Sequence, residues 1–352
     1  MNLTLQQYGL TTTFATQMPT LTGVVLARIT AQHRDLYQAV YEAGTVTAAV
    51  SGKLRHQLST SVDFPTVGDW VWLTNVASDQ AQIERVLPRV SVLARGAGNQ
   101  AQLIAANLTT VFICMSLNAD FNLRRAERYL TMAWESGATP VLVLTKADVC
   151  QDVSQKLAAL AEVSVGVETI VCSAKTADGM ALIADHVQPG QTVAFVGSSG
   201  VGKSTLINAL VGQPLLSTRE IRADDDKGRH TTTSRQLLVV PSGGVVIDTP
   251  GMRALQLYTG DLAKTFEDIA SLARGCKFND CRHVNEPGCA VLAAVAAGQL
   301  STERLQSYQK LQRELSYQGL DARQREQAKL QRMFGGKSAM KAVVKASRHR
   351  HS

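Results

Sequence analysis

The residues of this 352-residue chain that could do chemistry gather in a few short segments. Gly197-Ser198-Ser199-Gly200-Val201-Gly202-Lys203-Ser204 fits G-x-x-x-x-G-K-[ST]. It follows the apolar run Val193-Ala194-Phe195-Val196 and opens Thr205-Leu206-Ile207-Asn208-Ala209-Leu210, which reads as a helix. That strand–loop–helix context is what the pattern needs in order to cradle phosphates. Glycines let backbone N–H groups turn inward, and the helix that follows offers its positive end. In such a loop Lys203 reaches the β/γ oxygens and the Ser204 hydroxyl binds Mg²⁺.

A phosphate loop alone does not choose between ATP and GTP. Thr145-Lys146-Ala147-Asp148 follows the apolar run Val141-Leu142-Val143-Leu144 and resembles the N/T-K-x-D loop of GTPases. A carboxylate at Asp148 can accept from both N1–H and the 2-amino group of guanine, and adenine has no donor at either place. The Lys146 stem can lie over the base. Thr145 stands where Asn is commoner, which removes an amide contact and leaves the Asp148 discriminator. Ser173-Ala174-Lys175 resembles the S-A-K loop whose backbone reads guanine O6. Asp248-Thr249-Pro250-Gly251 resembles D-x-x-G, in which Asp248 supports Mg²⁺ through water and the Gly251 N–H senses the γ-phosphate. Between the two phosphate-side motifs lies Gly228-Arg229-His230-Thr231-Thr232-Thr233, where Thr232, or else Thr231, is expected to close on Mg²⁺. The base loops at 145–175 precede the phosphate motifs at 197 and 248, so the linear order of a conventional GTPase is cut and rejoined. Such permutation is cheap when domain termini lie close together.

Six cysteines are present. Cys114, Cys150 and Cys172 are scattered and read as small core residues. Cys276-x4-Cys281-x-His283-x5-Cys289 supplies three thiolates and an imidazole, with Gly275, Pro287 and Gly288 to turn the chain around them. That ligand set makes a closed tetrahedral zinc site with no position left for chemistry, so one structural zinc ion is expected.

These loops need strands and helices to hold them. Residues 1–20 read as a flexible lead-in. Gly23–Arg28, Thr45–Val50 and Val67–Leu73 are β-type runs separated by turn residues, which indicates a small β-barrel or sandwich over 21–95. Gly96-Ala97-Gly98-Asn99 reads as a linker. Over 96–262 short apolar strands alternate with helical stretches, which indicates an α/β domain with a mostly parallel sheet. Residues 263–334 read as a helical, zinc-bearing domain, with Leu305, Tyr308, Leu311 and Leu315 at helical spacing. The net charge is +7, unevenly placed. Residues 1–90 hold six basic and six acidic residues, whereas the tail 335–352 carries Lys337, Lys341, Lys345, Arg348 and Arg350 with no acid, suiting a polyanion such as RNA. There is no basic–apolar leader at the N-terminus and no run of the ~18 apolar residues a membrane span needs. A cytoplasmic protein with no membrane partner is therefore expected.

The whole pattern over roughly 21–335 resembles the ribosome small-subunit-dependent GTPases of the RsgA (YjeQ) family. The resemblance rests on Pro65-x-Val67-Gly68-Asp69-x-Val71, Leu87-Pro88-Arg89-x-Ser91-x-Leu93-x-Arg95, the permuted motifs, Gly228–Thr233, Asp248-Thr249-Pro250-Gly251-x-Arg253 and the Cys/His site. It implies an OB-like β-barrel, a circularly permuted P-loop GTPase domain and a zinc-binding helical domain, in a chain expected to be monomeric. It also implies slow GTP hydrolysis to GDP, stimulated by the small (30S) subunit, with binding to its rRNA and a late role in its maturation. The GTP-binding set is then Thr145, Lys146, Asp148, Ser173, Ala174, Lys175, the loop Gly197, Ser198, Ser199, Gly200, Val201, Gly202, Lys203 and Ser204, with Thr205, Asp248 and Gly251. Ser204, Thr232 and Asp248 would serve Mg²⁺. Met252 stands where Ras-like enzymes place a water-orienting Gln, and the resemblance puts His230 in the catalytic role beside Lys203 and Thr232. An RNA-binding barrel needs a basic face, for which Arg28, Lys53, Arg55, Arg85 and Arg89 are candidates. The rival readings are a GTP-dependent RNA-binding module with negligible turnover and, disfavoured by Asp148, an ATP-using enzyme.

Overall fold

The computed structural model describes residues 5–77, 79–97, 100–118, 120–216, 235–249 and 255–318, together with 320, 324 and 327. His230, Thr231, Thr232, Gly251, Met252 and the basic tail 335–352 lie outside the described residues.

A short helix α1 (Thr12–Ala15) precedes five strands, β1 (Val25–His33), β2 (Leu36–Tyr41), β3 (Gly44–Val50), β4 (Trp70–Thr74) and β5 (Gln80–Val86), with α2 (Gly52–Gln57) between β3 and β4. Their order is β1-β2-β3-β5-β4, closed by β4 on β1, with β3 and β5 parallel and the other pairs antiparallel. This is the five-stranded OB-like barrel. Alternation produces it: Val46, Ala48 and Val50 of β3 point into a core with Ile29, Val71, Leu73 and Ile83. Residues 5–16, read as a lead-in, instead pack. Leu5 and Phe14 are buried, Phe14 stacks on Trp70 at 5.5 Å, and the buried Arg28 guanidinium donates to the Tyr8 carbonyl. The five candidate cations do not share one face. Arg28 is 1% exposed and bonds Gly68 O and Thr192 Oγ1, and Arg89 forks onto the buried Asp69 at 2.8 Å, leaving Lys53, Arg55 and Arg85 exposed.

Gly96 and Ala97, read as the start of a linker, belong instead to a strand, β6 (Val92–Ala97), which pairs antiparallel with β7 (Gln100–Ala106), while Gly98 and Asn99 lie outside the described residues. The α/β sheet follows, with β8 (Thr110–Ser116), α3 (Leu123–Glu135), β9 (Thr139–Thr145), a 3₁₀ turn Ala147–Val149, α4 (Val153–Ala161), β10 (Glu168–Val171) and α5 (Met180–Asp185). Then come β11 (Thr192–Gly197), α6 (Lys203–Val211), β12 (Gln236–Val239) and β13 (Val245–Asp248). The order is β10-β9-β8-β11-β13-β12, with five parallel strands and β12 antiparallel on β13. Every residue of β8 and β11 is buried, as strands covered on both faces require. β11, fourth of these strands in the chain, sits mid-sheet between β8 and β13, which is the spatial signature of the permuted order. A bridge at Ala31↔Gln236 joins the barrel to this sheet.

Helices α7 (Leu262–Thr265), α8 (Glu267–Ala273), α9 (Ala290–Ala296) and α10 (Thr302–Ser316) follow. Phe266, Ile269, Val291, Leu305 and Leu311 belong to one continuous core with Tyr129, Leu130 and Ala133 of α3. A buried polar network reinforces that seam. Arg304 bonds Glu127 Oε1 at 2.8 Å, both Asp268 oxygens at 3.0 Å and Thr265 O at 2.7 Å. None of the described helices is long and apolar enough to cross a membrane.

Candidate functional site

The sequence-predicted loops converge on one edge of the parallel sheet. In the strand register Ser116 lies beside Thr145, Val171 beside Leu144, Gly197 beside Cys114, and Asp248 beside Phe195. The carboxyl ends of β9, β10, β11 and β13 therefore open into a single crevice, where such sheets bind ligands.

The phosphate loop has the backbone its glycines allow. Gly197, Gly200 and Gly202 adopt φ of 146°, 81° and 102°. A Cβ on Gly197 would stand 2.3 Å from the Cys114 carbonyl oxygen, so no other residue fits there. Lys203 Nζ donates to the loop carbonyls of Gly197 at 3.0 Å and Ser198 at 2.8 Å. Burial pulls the Lys203 ammonium below its ordinary range, while Cys114, Asp248 and Asp120 oppose that pull. Asp248 is 2% exposed, and burial pushes its carboxyl up to about 6 against the field of Lys203. A buried acid beside a lysine is a receptive place for a divalent cation, whose charge would restore the carboxylate.

At the base side Asp148 is exposed, and its Oδ1 accepts from the Ser173 hydroxyl at 2.8 Å. Ser173 Oγ also accepts from the backbone of Lys175 at 3.2 Å and of Thr176 at 3.3 Å, so the S-A-K segment wraps the carboxylate. Lys146 takes φ 61° at the sharp turn between them. Thr145 makes a link that its motif did not announce. Its hydroxyl donates to the Val201 carbonyl at 2.5 Å and ties the base loop to the phosphate loop. Of the GTP-binding set, Thr145, Lys146, Asp148, Ser173, Ala174, Lys175, Gly197–Thr205 and Asp248 lie on this crevice edge, while Gly251 falls outside the described residues.

Some residues at the site carry no motif. Arg125 on α3 donates to Ser198 Oγ at 2.8 Å. Arg128, one turn on, donates to Leu255 O at 2.8 Å and pairs with Glu314 of α10 at 2.6 Å. Glu314 accepts in turn from the Leu257 N–H at 2.8 Å. Their partners lie 73, 127 and 186 positions away, and no local pattern marks such pairs.

Away from the crevice, the ligand atoms of Cys276, Cys281, His283 and Cys289 lie within 4.8 Å of one another. Cys276 Sγ stands 3.8 Å from Cys289 Sγ and 3.7 Å from His283 Nδ1. A zinc tetrahedron with bonds of ~2.3 Å has sulfur–sulfur edges of ~3.8 Å, so the donor set fits that ion. Burial lowers the His283 pKa, which favours the neutral, ligating imidazole. His283 sits at φ 57°, and its carbonyl accepts from Gln309 Nε2 of α10 at 2.6 Å.

Comparison with known proteins agrees with this layout. The family model for the RsgA GTPase matches residues 86–258. A protein of Lactiplantibacillus plantarum named small ribosomal subunit biogenesis GTPase RsgA 2 is 61% identical, over 97% of this chain and 98% of its own length. A Methanosarcina acetivorans protein named small ribosomal subunit biogenesis GTPase RsgA is 45% identical over 85% of this chain and 82% of its own. The crystal structure of YjeQ from Thermotoga maritima superposes with a TM-score of 0.63 at 28% identity, covering 83% of this chain and 99% of that one. YloQ, described as a circularly permuted GTPase, gives 0.60 at 25% identity, covering 84% and 96%. Motifs displaced along the chain but reunited on one sheet edge, and a relative matched from end to end, place this chain in the RsgA GTPase family, to which it belongs.

Proposed function

We propose that the chain binds GTP in the crevice, hydrolyses it to GDP and phosphate, and acts on the small (30S) ribosomal subunit to assist its late maturation. The observation that carries this is the Thr145–Val201 hydrogen bond, which joins a guanine-type base loop to a phosphate loop in one site of a family member. Asp148 would accept from N1–H and the 2-amino group of guanine, held by Ser173. Lys203 would leave its loop carbonyls for the β/γ oxygens. Ser204, Asp248 and Thr232 would hold the Mg²⁺ that comes with GTP, an ion that screens phosphate charge. Thr232 and the catalytic candidate His230 would close over the γ-phosphate, with Gly251 sensing it.

Cys276, Cys281, His283 and Cys289 would hold one structural zinc ion. The divisions 1–20, 21–95, 96–262, 263–334 and 335–352 serve as working units: N-terminal segment, barrel, G domain, zinc-bearing helices and basic tail. The tail and the exposed Lys53, Arg55 and Arg85 would meet rRNA phosphates. A monomer working in the cytoplasm, where ribosomal subunits mature, fits these roles. Phosphate release from GTP, measured with and without purified 30S subunits, tests the reading. Stimulated multiple turnover is expected, and hydrolysis indifferent to subunits would refute the ribosomal part.

A further inference from the structure

Arg125 belongs to none of the nucleotide motifs, yet it reaches the phosphate loop from α3. Its Nη1 donates to Ser198 Oγ at 2.8 Å, to the Asp120 carboxylate, and more weakly to the Asp120 carbonyl at 3.4 Å. Both partners are anchored. The Arg125 N–H is capped by Asn122 Oδ1 at 3.0 Å, and Asp120 N–H donates to Asn118 Oδ1 at 3.2 Å. Asn118 accepts in turn from Ser116 Oγ, at the end of β8, at 2.7 Å. The remaining Asp120 oxygen is buried and has no partner among the described residues, so Arg125 is its carboxylate's hydrogen-bonding partner there. Ser198 is thus gripped twice, its hydroxyl by Arg125 and its carbonyl by Lys203.

The two grips differ in what a nucleotide does to them. A phosphate in the loop draws the Lys203 ammonium off the carbonyls of Gly197 and Ser198. The Arg125 contact lies on the side-chain side of Ser198 and can persist. We propose that Arg125, backed by Asp120, is a positioning residue: through the Ser198 hydroxyl it keeps the phosphate loop in its anion-receiving shape while Lys203 transfers to the nucleotide. The proposal rests on the guanine-nucleotide reading above. Because the loop shape serves GTP and GDP alike, the brace acts on ground-state binding rather than on turnover.

The test uses the full chain with fluorescent methylanthraniloyl GDP and a non-hydrolysable methylanthraniloyl GTP analogue. Arg125→Ala and Ser198→Ala should each weaken both nucleotides about tenfold, equivalent to about 1.4 kcal/mol. The double variant should be no weaker than either single one, since both remove the same bond. Turnover of Arg125→Ala at saturating GTP should stay within about threefold of wild type, splitting KM from kcat. Unchanged affinity in Ser198→Ala, which deletes one oxygen and carries the test by itself if Arg125→Ala fails to fold, would overturn the proposal. Losses that add in the double variant would also overturn it, because Arg125 would then touch the nucleotide directly. A fall in kcat at unaltered affinity would overturn it in favour of a catalytic role. Wild-type protein that binds neither nucleotide would instead strike down the nucleotide reading, and the proposal with it.

Discussion

At the scale of single residues, the site is decided by which polar atoms are left free to meet a ligand. Asp148 is exposed, and Ser173 bonds one oxygen of its carboxylate, so acceptor capacity remains for a ligand. Asp148→Asn should therefore weaken GTP binding by roughly 30- to 150-fold, the loss of ~2–3 kcal/mol expected of a bidentate charge-assisted contact. The same variant should gain affinity for xanthosine triphosphate, whose carbonyl replaces the 2-amino group and can accept from the Asn amide. Titration with both nucleotides checks this, and undiminished GTP affinity would remove Asp148 from the base site. His230 is argued from its motif rather than from geometry, with Met252 unable to orient water. His230→Ala should cut subunit-stimulated hydrolysis by ~10²-fold or more while GTP affinity stays near wild type. Single-turnover assays on 30S subunits measure both quantities.

At the scale of elements, two short devices carry more than their length suggests. The segment from Cys276 to Cys289 is mostly turns, shaped by the Glu286 carboxylate, which accepts from the N–H groups of Arg282, Val284 and Asn285, and by the α10 contact from Gln309 to His283 O. A metal there would supply folding energy that so small a core cannot. Purified protein should carry about one zinc ion per chain, and Cys281→Ser should lose it. Hydrogen exchange over 265–300 should rise in that variant while nucleotide affinity changes little, because the crevice lies on the opposite element set. Metal-free wild-type protein, prepared without chelators, would contradict the assignment. The second device is α3, whose successive turns present Arg125 to the phosphate loop and Arg128 to Leu255 and α10. Buried Glu127, also on α3, anchors Arg304. One helix thus touches both the crevice and the C-terminal helices.

At the scale of the whole molecule, the permutation makes the Asp248 strand lead almost directly into the zinc-bearing helices. Leu255 and Leu257, just past the D-x-x-G motif, are clamped between Arg128 and Glu314. Loops held by a γ-phosphate are released on hydrolysis, so a change at 248–251 has a short path to α10. GTP should tighten 30S binding relative to GDP by ~1–3 kcal/mol, and the subunit must then tighten GTP by the same factor. Arg128→Ala should shrink that difference while leaving GDP-state affinity nearly unaltered. Subunit affinity with a non-hydrolysable GTP analogue and with GDP, at one salt concentration because phosphate contacts are salt-sensitive, provides the measurement. Equal affinities in wild type would leave a GTP-binding clamp with no switch.

Much of this was legible in the sequence, for a physical reason. The phosphate loop, Asp148, Ser173 and the Cys/His cluster are each local patterns, in which a few neighbouring residues meet a fixed ligand geometry. Apolar runs likewise announced β8, β9, β11 and β13, since strands buried on both faces must be largely apolar, and a shorter run announced the edge strand β10. β2, β5 and β12, whose burial alternates or is brief, went unread, as did the hairpin at 92–106. The family resemblance called for a basic barrel face that the neutral composition of residues 1–90 did not supply, and only tertiary structure showed Arg28 and Arg89 spent inside, on Gly68, Thr192 and Asp69. The Thr145–Val201 tie, the Arg125 brace and the Arg128–Glu314 clamp join residues 56, 73 and 186 positions apart. Such contacts depend on where whole elements come to rest, because a hydrogen bond is set by distance in space and leaves no periodicity along the chain.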